Sequence, residues 1–194
     1  MEVVEEQAPL TGEHARDERL RLFLGLRLPE PALDAVEAWQ NAHLERMRVV
    51  PRGHLHLTLA FLGHRSAGEL PAIVEALREA AAGVTDEIRL TPVRYRETRS
   101  VAMLVCEDEG GRAGLLAADL QERLERLGVY RREARPWLPH LTVGRFRERA
   151  GLRPELGNMG TYVLIPSDAS AYLSRLRPSG AEYEVLASVA LGGR

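Results

Sequence analysis

Apolar and polar residues alternate along the first clearly patterned stretch of the chain, residues 21–28. Four leucines share one face of an extended chain there: Leu22, Leu24, Leu26 and Leu28. The other face carries Arg21, Phe23, Gly25 and Arg27. Because successive side chains of a strand point to opposite sides, this pattern predicts a half-buried strand. Proline is favoured in the first turn of a helix, so Pro29 and Pro31 predict that a helix begins next.

The remaining pattern mixes helices with short strands. Apolar residues at helical spacing predict helices over about residues 31–48, 70–82 and 112–127, with glycines at 83 and 128 just after the last two. Alternating or apolar runs predict strands at 54–62, 87–95, 101–106, 138–146, 161–165, 170–176 and 182–191. Several connections are short enough for hairpins, which favours antiparallel pairing.

The phrase His-Leu-Thr occurs twice inside predicted strands, beginning at His56 and at His140. Strand alternation turns each histidine and the threonine two residues later, Thr58 or Thr142, to the same side. Each half of the chain has a helix and one such strand. We therefore expect an α+β fold of two similar lobes, related by a pseudo-twofold axis. Each lobe would hold an antiparallel sheet with helices, and the two phrases would meet in a central cleft.

Composition narrows the class of protein. The chain has 194 residues, 45% of them apolar and 28% charged, as in ordinary globular proteins, and no apolar run long enough to cross a bilayer. Cys106 is the single cysteine and ends an apolar run, so it reads as a packed side chain in a reducing cytoplasm. Residues 1–18 are acidic and lack regular periodicity. We expect them to be a flexible extension before one domain at 19–194.

Positive charge is concentrated around the second phrase. The net charge is −2, and the 26 residues in the combined lysine and arginine count are all arginines. Residues 131–153 contain seven arginines against two glutamates. Arginine binds phosphate in a planar, bidentate manner, so this excess favours a phosphate ligand. A solvated face in an arginine-rich protein is the competing interpretation.

Two histidines and two hydroxyls suit the opening of a cyclic phosphodiester. One imidazole can take a proton from attacking water and another can protonate the leaving oxygen. Threonine hydroxyls would hold the phosphate oxygens. Arg145 would join them only if the strand bulges near Gly144, because strict alternation places it on the opposite face. The aromatic candidates for stacking on a base are Phe23, Trp137 and, more weakly, Tyr130. The alternative is that these side chains pack in the hydrophobic core or the cleft wall.

A metal site is the alternative use of the histidines. His54 and His56 share a strand face, a spacing found in some metal-ligand pairs. Leu138 stands at the matching place in the second copy, and no acidic or cysteine ligands cluster nearby. We therefore expect neither a metal nor another cofactor.

The residues resemble those of the two-histidine (2H) phosphoesterases. The resemblance is carried by the doubled phrase, by residues 54–63 (HLHLTLAFLG) and by residues 135–145 (RPWLPHLTVGR). Supporting phrases lie at residues 21–26 and 174–183, so it covers nearly all of the chain after residue 18. The pattern is most similar to the RNA 2′,3′-cyclic phosphodiesterases, also called 2′-5′ RNA ligases.

This resemblance implies a bilobal fold and hydrolysis of a 2′,3′-cyclic phosphate to a 2′-phosphate. By position in the family, His56 would be the proton donor and His140 the proton acceptor, with Thr58 and Thr142 binding phosphate oxygens. Arg145 would be a further phosphate contact. With the candidates above, the predicted substrate-binding residues are Arg145, Phe23, Trp137 and Arg135.

The sequence is also compatible with two other functions. The same site run backwards would be a 2′-5′ RNA ligase, and the arginine-rich surface would also suit an RNA-binding protein without significant catalysis. The expected partners are RNA 3′ ends or small cyclic nucleotides, not a membrane. We expect a cytoplasmic monomer.

Overall fold

The computed structural model of the chain describes residues 18–45, 47–147, 151–178 and 180–192. The strands in this part of the chain are β1 (Arg19–Arg27), β2 (Arg48–Val49), β3 (His56–Ser66), β4 (Leu90–Glu97), β5 (Val101–Asp108), β6 (His140–Arg145), β7 (Asp168–Arg177) and β8 (Gly180–Ala190). The α-helices are α1 (Glu30–His43), α2 (Leu70–Ala82) and α3 (Arg112–Arg126). Short 3-10 turns occupy Arg52–His54, Ala67–Glu69, Glu109–Gly111 and Gly157–Thr161. The predicted extension at residues 1–18 lies, except for residue 18, outside the described residues.

The strands form a curled antiparallel sheet in the order β4-β5-β6-β3-β1-β7-β8, and β2 pairs with the free part of β6. Its two arms, β4-β5-β6 and β3-β1-β7-β8, meet where β3 pairs with β6 through the single register pair Leu57↔Leu141. The α+β class, the antiparallel pairing and the two-lobed shape are confirmed. The sequence did not indicate that one sheet runs through both lobes.

β1 lies in the centre of its arm, between β3 and β7. Its predicted core face is buried, with Leu22, Leu24 and Leu26 each at most 2% exposed. Phe23 on the opposite face is also buried, at 1%. The prediction of a half-buried strand is therefore wrong, because side chains from β3, β7 and β8 cover the second face as well.

Helix ends follow local chemistry. Gly128 has φ +71°, and the chain leaves α3 with Val129 N–H donating to Leu124 O and Gly128 N–H donating to Glu125 O. These two bonds are the Schellman arrangement, which needs a residue in the left-handed region and so favours glycine. Ser66 and Glu69 form a reciprocal capping box between β3 and α2.

Three predicted elements differ from the structure. The first helix ends at His43 rather than near residue 48, and residues 48–49 form the unpredicted strand β2. Residues 161–165 are not a strand but the end of a 3-10 turn followed by a single β-bridge, in which Leu164 pairs with Leu90. β3 continues past Gly63, whose φ of +67° absorbs a shift in register against β1.

Candidate active site

The two His-Leu-Thr phrases lie side by side at the junction of the arms. Leu57 and Leu141, the central residues of the phrases, are direct partners and fully buried. In an antiparallel pair, one step from this register places His56 near Thr142 and Thr58 near His140. The four side chains therefore rise from the same small area of the sheet, between the two lobes.

A β-bulge in β6 brings Arg145 to the same side. Against β5, Ala102 pairs with Gly144 while the next residue, Met103, pairs with Thr142, so Val143 is an extra residue. The Val143 carbonyl accepts from Val50 N–H at 3.0 Å and from the buried Gln40 amide at 2.7 Å. The bulge reverses the alternation, and Arg145 lines one recess with His56 and Thr142.

Each histidine of the pair is held in the same manner. His56 Nδ1 lies 2.7 Å from the His54 carbonyl oxygen, and His140 Nδ1 lies 2.8 Å from the Leu138 carbonyl oxygen. A carbonyl only accepts, so both Nδ1 atoms carry a proton and donate it. In the neutral form, each ring then presents Nε2 as the proton acceptor. His56 Nε2 lies 3.1 Å from Thr58 Oγ1.

Aromatic rings pack beneath and beside His56. The Phe23 ring centroid lies 4.7 Å from that of His56, and Phe23 stacks on Tyr172 at 4.6 Å. The Tyr183 ring meets His56 edge-on at 5.6 Å. Gly25 completes the support, because a Cβ there would lie 3.2 Å from His56 Cδ2 and 3.0 Å from a β3 carbonyl oxygen.

Burial is the main cause that lowers the pKa of His56 to about 4. The bond to the His54 carbonyl opposes the shift, and the basic neighbours His140, His54 and Arg145 contribute to it. The pKa of His54 is also lowered, by burial and then by Arg145. His56 is therefore neutral in the free site at neutral pH. At neutral pH, a negative charge in the site would favour the protonated imidazole.

The stability of the fold is expected to depend on this pKa. Unfolded His56 takes up a proton below about pH 6.5 and folded His56 only below about 4, so the unfolded state binds more protons between these values. The stability contributed by neutral His56 is present above about pH 6.5 and lost as the pH falls towards 4. Urea unfolding should show a loss of up to about 3 kcal/mol in that window relative to His56→Gln. Parallel pH dependence in the two proteins would contradict it.

Two adjoining recesses flank the junction and share Thr58 and Phe61. The smaller holds His56, Thr142 and Arg145. The larger has a volume of about 680 Å³ and is lined by His140, Trp137 and Arg135, among others. This volume falls within the roughly 300–1,000 Å³ typical of small-molecule sites. One recess suits a compact anionic group and the other an organic moiety attached to it.

The predicted substrate-binding residues occupy different places. Trp137 is half-buried, and its indole N–H donates to the Thr58 carbonyl at 2.9 Å, which ties residues 131–139 to β3. Arg135 is 82% exposed and pairs with Glu133 at 2.6 Å on the rim. Phe23 is buried beneath His56 and offers no free face to a base.

His54 lies in the smaller recess, with its ring 4.5 Å from that of Tyr183. Among the described residues, no group of three His, Cys, Asp or Glu side chains is placed to hold a metal ion. The expectation of metal-independent chemistry stays a prediction.

Sequence reasoning did not assign three residues of this site. Tyr183 packs on both His54 and His56, Tyr172 stacks on Phe23, and Phe61 is 61% exposed between the recesses. Tyr183 ends one phrase of the family resemblance, and that was its only signal. Nothing in the local pattern of Tyr172 marks it, because β7 reaches the site only through its pairing with β1.

Comparison with known proteins agrees with this geometry. The sequence model of the 2′-5′ RNA ligase superfamily matches residues 28–164, well over half of the chain. The chain belongs to the 2′-5′ RNA ligase superfamily. Its members are phosphoesterases and ligases, and the resemblance to the two-histidine phosphoesterases is confirmed. Comparison with curated proteins gives no match.

Several solved structures are similar to this protein over most of the chain. The protein TT0787 of Thermus thermophilus is 30% identical with a TM-score of 0.72, covering 90% of this chain and 99% of that one. Apo Escherichia coli LigT is 26% identical with a TM-score of 0.73, covering 90% and 98%. A structure described as a phosphoesterase is 25% identical with a TM-score of 0.74, covering 89% and 98%. Among the described residues of this chain, no helix is long and apolar enough to cross a bilayer.

Proposed function

We propose that the chain hydrolyses 2′,3′-cyclic phosphate ends of RNA or nucleotides to 2′-phosphates by two-histidine acid–base catalysis. One observation carries the proposal. Two histidines from distant parts of the chain meet at one junction, each with Nδ1 bound to a carbonyl and each with a threonine two residues later. The superfamily acts on phosphodiesters, which supports this chemistry.

The proposed reaction uses each side chain once. His140 Nε2 takes a proton from water as the water oxygen bonds to phosphorus. The bond from phosphorus to the 3′ oxygen breaks, and His56 Nε2–H gives that oxygen its proton. Thr58 and Thr142 hydroxyls donate to the phosphate oxygens, and Arg145 adds a positive charge where negative charge accumulates.

The role of His56 as donor depends on the substrate. With a pKa of about 4 in the free site, its imidazole is neutral until the phosphate arrives. The negative phosphate favours the protonated form and raises this pKa. In the free site Thr58 Oγ1 occupies the hydrogen-bonding position of Nε2, at 3.1 Å, and the leaving oxygen would replace it there.

Known complexes support a nucleotide ligand. Escherichia coli LigT has been solved with ATP and with NADP+, and it is 26% identical to this chain in both structures. The aromatic and basic lining of the larger recess, with Trp137, Phe61 and Arg135, suits a nucleoside. A cytoplasmic location and a monomeric state stay predictions.

Ligation is the second candidate, because the superfamily is named for 2′-5′ RNA ligases and the same acid–base pair can serve another attacking hydroxyl. A 5′-hydroxyl RNA would then replace water as the nucleophile's source. The balance between the two reactions depends on which group occupies the place of the attacking water.

Product analysis tests the proposal. Cyclic nucleotides and a short RNA with a 2′,3′-cyclic end, offered with and without a 5′-hydroxyl RNA, should yield 2′-phosphates, with activity retained in chelator. Exclusive formation of a joined 2′-5′ product would make the protein a ligase. RNA binding without turnover of any cyclic substrate would contradict the hydrolase and favour a binding protein.

A further inference from the structure

Another pocket, separate from the two recesses, lies between the edge strand β4 and the segment 151–156. Its volume is about 850 Å³. Three arginines contribute to its lining, Arg94 and Arg96 from β4 and Arg153 from the segment opposite. The pocket is therefore large enough for a nucleotide-sized group and is basic on both walls.

Glu97 fixes the wall that faces β4. It is only 9% exposed, and its two carboxylate oxygens accept from Gly151 N–H at 2.8 Å and Leu152 N–H at 3.0 Å. The Tyr95 hydroxyl also donates to it, at 2.8 Å. The charge of Glu97 is thus engaged by three donors of the protein. These charge-assisted bonds hold residues 151 and 152 against β4.

The arginines of this pocket differ from those elsewhere on the surface. Most other surface arginines pair with carboxylates: Arg52 with three acids, and Arg89 and Arg123 with two each. No described acid lies within ion-pair distance of Arg94, Arg96 or Arg153. In a chain of net charge −2, acids are available, so this basic pocket points to an anionic ligand.

Arg96 connects the pocket to the proposed catalytic cleft. Arg96 lines the pocket and also the larger recess, which His140 and Trp137 line. A ligand in the recess therefore has a basic path leading away from it over β4. The chain spacing of a polynucleotide places further phosphates along such a path, whereas a mononucleotide ends inside the recess.

We propose that Arg94, Arg96 and Arg153 bind the phosphodiester backbone of an RNA strand whose cyclic end lies in the cleft. The site would make oligonucleotides, rather than cyclic mononucleotides, the preferred substrates. This inference rests on the proposed function for the identity of the strand's end, but the binding site itself can be tested without turnover.

Affinity as a function of RNA length tests the pocket directly. The probes are fluorescent single-stranded RNAs of two, four and eight nucleotides ending in a 3′-phosphate, measured by anisotropy with wild type and with Arg94→Ala/Arg153→Ala. Affinity should rise with length in the wild type and rise much less in the variant. Loss of two phosphate contacts should make the plot of log affinity against log salt less steep by about 1.4. This corresponds to a loss of affinity of about 25-fold near 0.1 M salt.

A control variant removes the same charge elsewhere. Arg78→Ala/Arg175→Ala lies outside the pocket and both recesses, at arginines that pair with Glu75 and Glu184. It should retain the length dependence. An equal loss of affinity in both double variants, or no dependence on length in the wild type, would overturn the inference.

Kinetics separate this inference from the proposed function. Arg94→Ala/Arg153→Ala should lower kcat/KM for a cyclic-ended octanucleotide at least about tenfold more than for a cyclic mononucleotide. A wild type that turns over neither substrate would refute the hydrolase, while the anisotropy series would still decide the RNA site. Equal losses on the two substrates would overturn the pocket's role.

Discussion

His56→Ala and His140→Ala are each expected to lower kcat for a 2′,3′-cyclic nucleotide by about 10²–10⁴-fold, because each removes one proton transfer from the transition state. The double variant should lose less than the product of the two, since the steps act together. Thermal unfolding should show both single variants folded at the assay temperature. Steady-state kinetics on one cyclic nucleotide suffice for the measurement.

His64→Ala is the matched control, because His64 lies on the same strand as His56 but outside both recesses. It should keep wild-type kcat. Wild-type turnover in either cleft variant would refute two-histidine catalysis, and loss in the His64 variant would show that the assay reports folding rather than chemistry.

The same assignment sets the shape of the pH dependence, which should be bell-shaped. The profile of kcat/KM reports the free protein, where the pKa of His56 is about 4. The profile of kcat reports the bound state, where the phosphate raises that pKa. The limb set by the pKa of His56 should therefore lie at higher pH in the profile of kcat than in that of kcat/KM. Coincidence of this limb in the two profiles would contradict His56 as the donor.

Phe23→Ala is expected to lower the free energy of unfolding by about 3–5 kcal/mol, the usual range for removing a buried aromatic ring. Phe23 is 1% exposed and packs on His56, Tyr172 and Tyr183. The truncation also leaves a space under His56, so kcat should fall more than KM rises. Urea unfolding and steady-state kinetics on the same samples measure the two effects.

Phe61→Ala makes the same truncation at a ring that is 61% exposed. Its unfolding free energy should change by no more than about 0.5 kcal/mol, and any kinetic effect should be on KM, because Phe61 borders the recesses. If both variants lost stability equally, Phe23 would not be a buried support of His56.

The local sequence pattern was sufficient to predict those elements whose ends are marked by particular residues, such as glycine. α3 ends at the glycine that the sequence marks, because only a left-handed residue completes its last hydrogen bonds. β2 could not be predicted: two exposed residues form a strand only because the bulged strand β6 runs beside them. The predicted strand at 161–165 fails for the converse reason, since it lacks a neighbour beyond Leu90.

The sequence by itself determined the class of the fold, the two His-Thr strands and the likeness to the two-histidine phosphoesterases, since alternation and motif spacing are local properties of the chain. Only the tertiary structure decided that Arg145 shares a recess with His56, because a bulge depends on partners such as Val50 and Gln40. The burial of Phe23 and the lowered pKa of His56 also follow only from the tertiary structure, because strands distant in sequence cover these side chains. The sequence specifies which side chains are present, whereas their environment depends on how separate strands pack together.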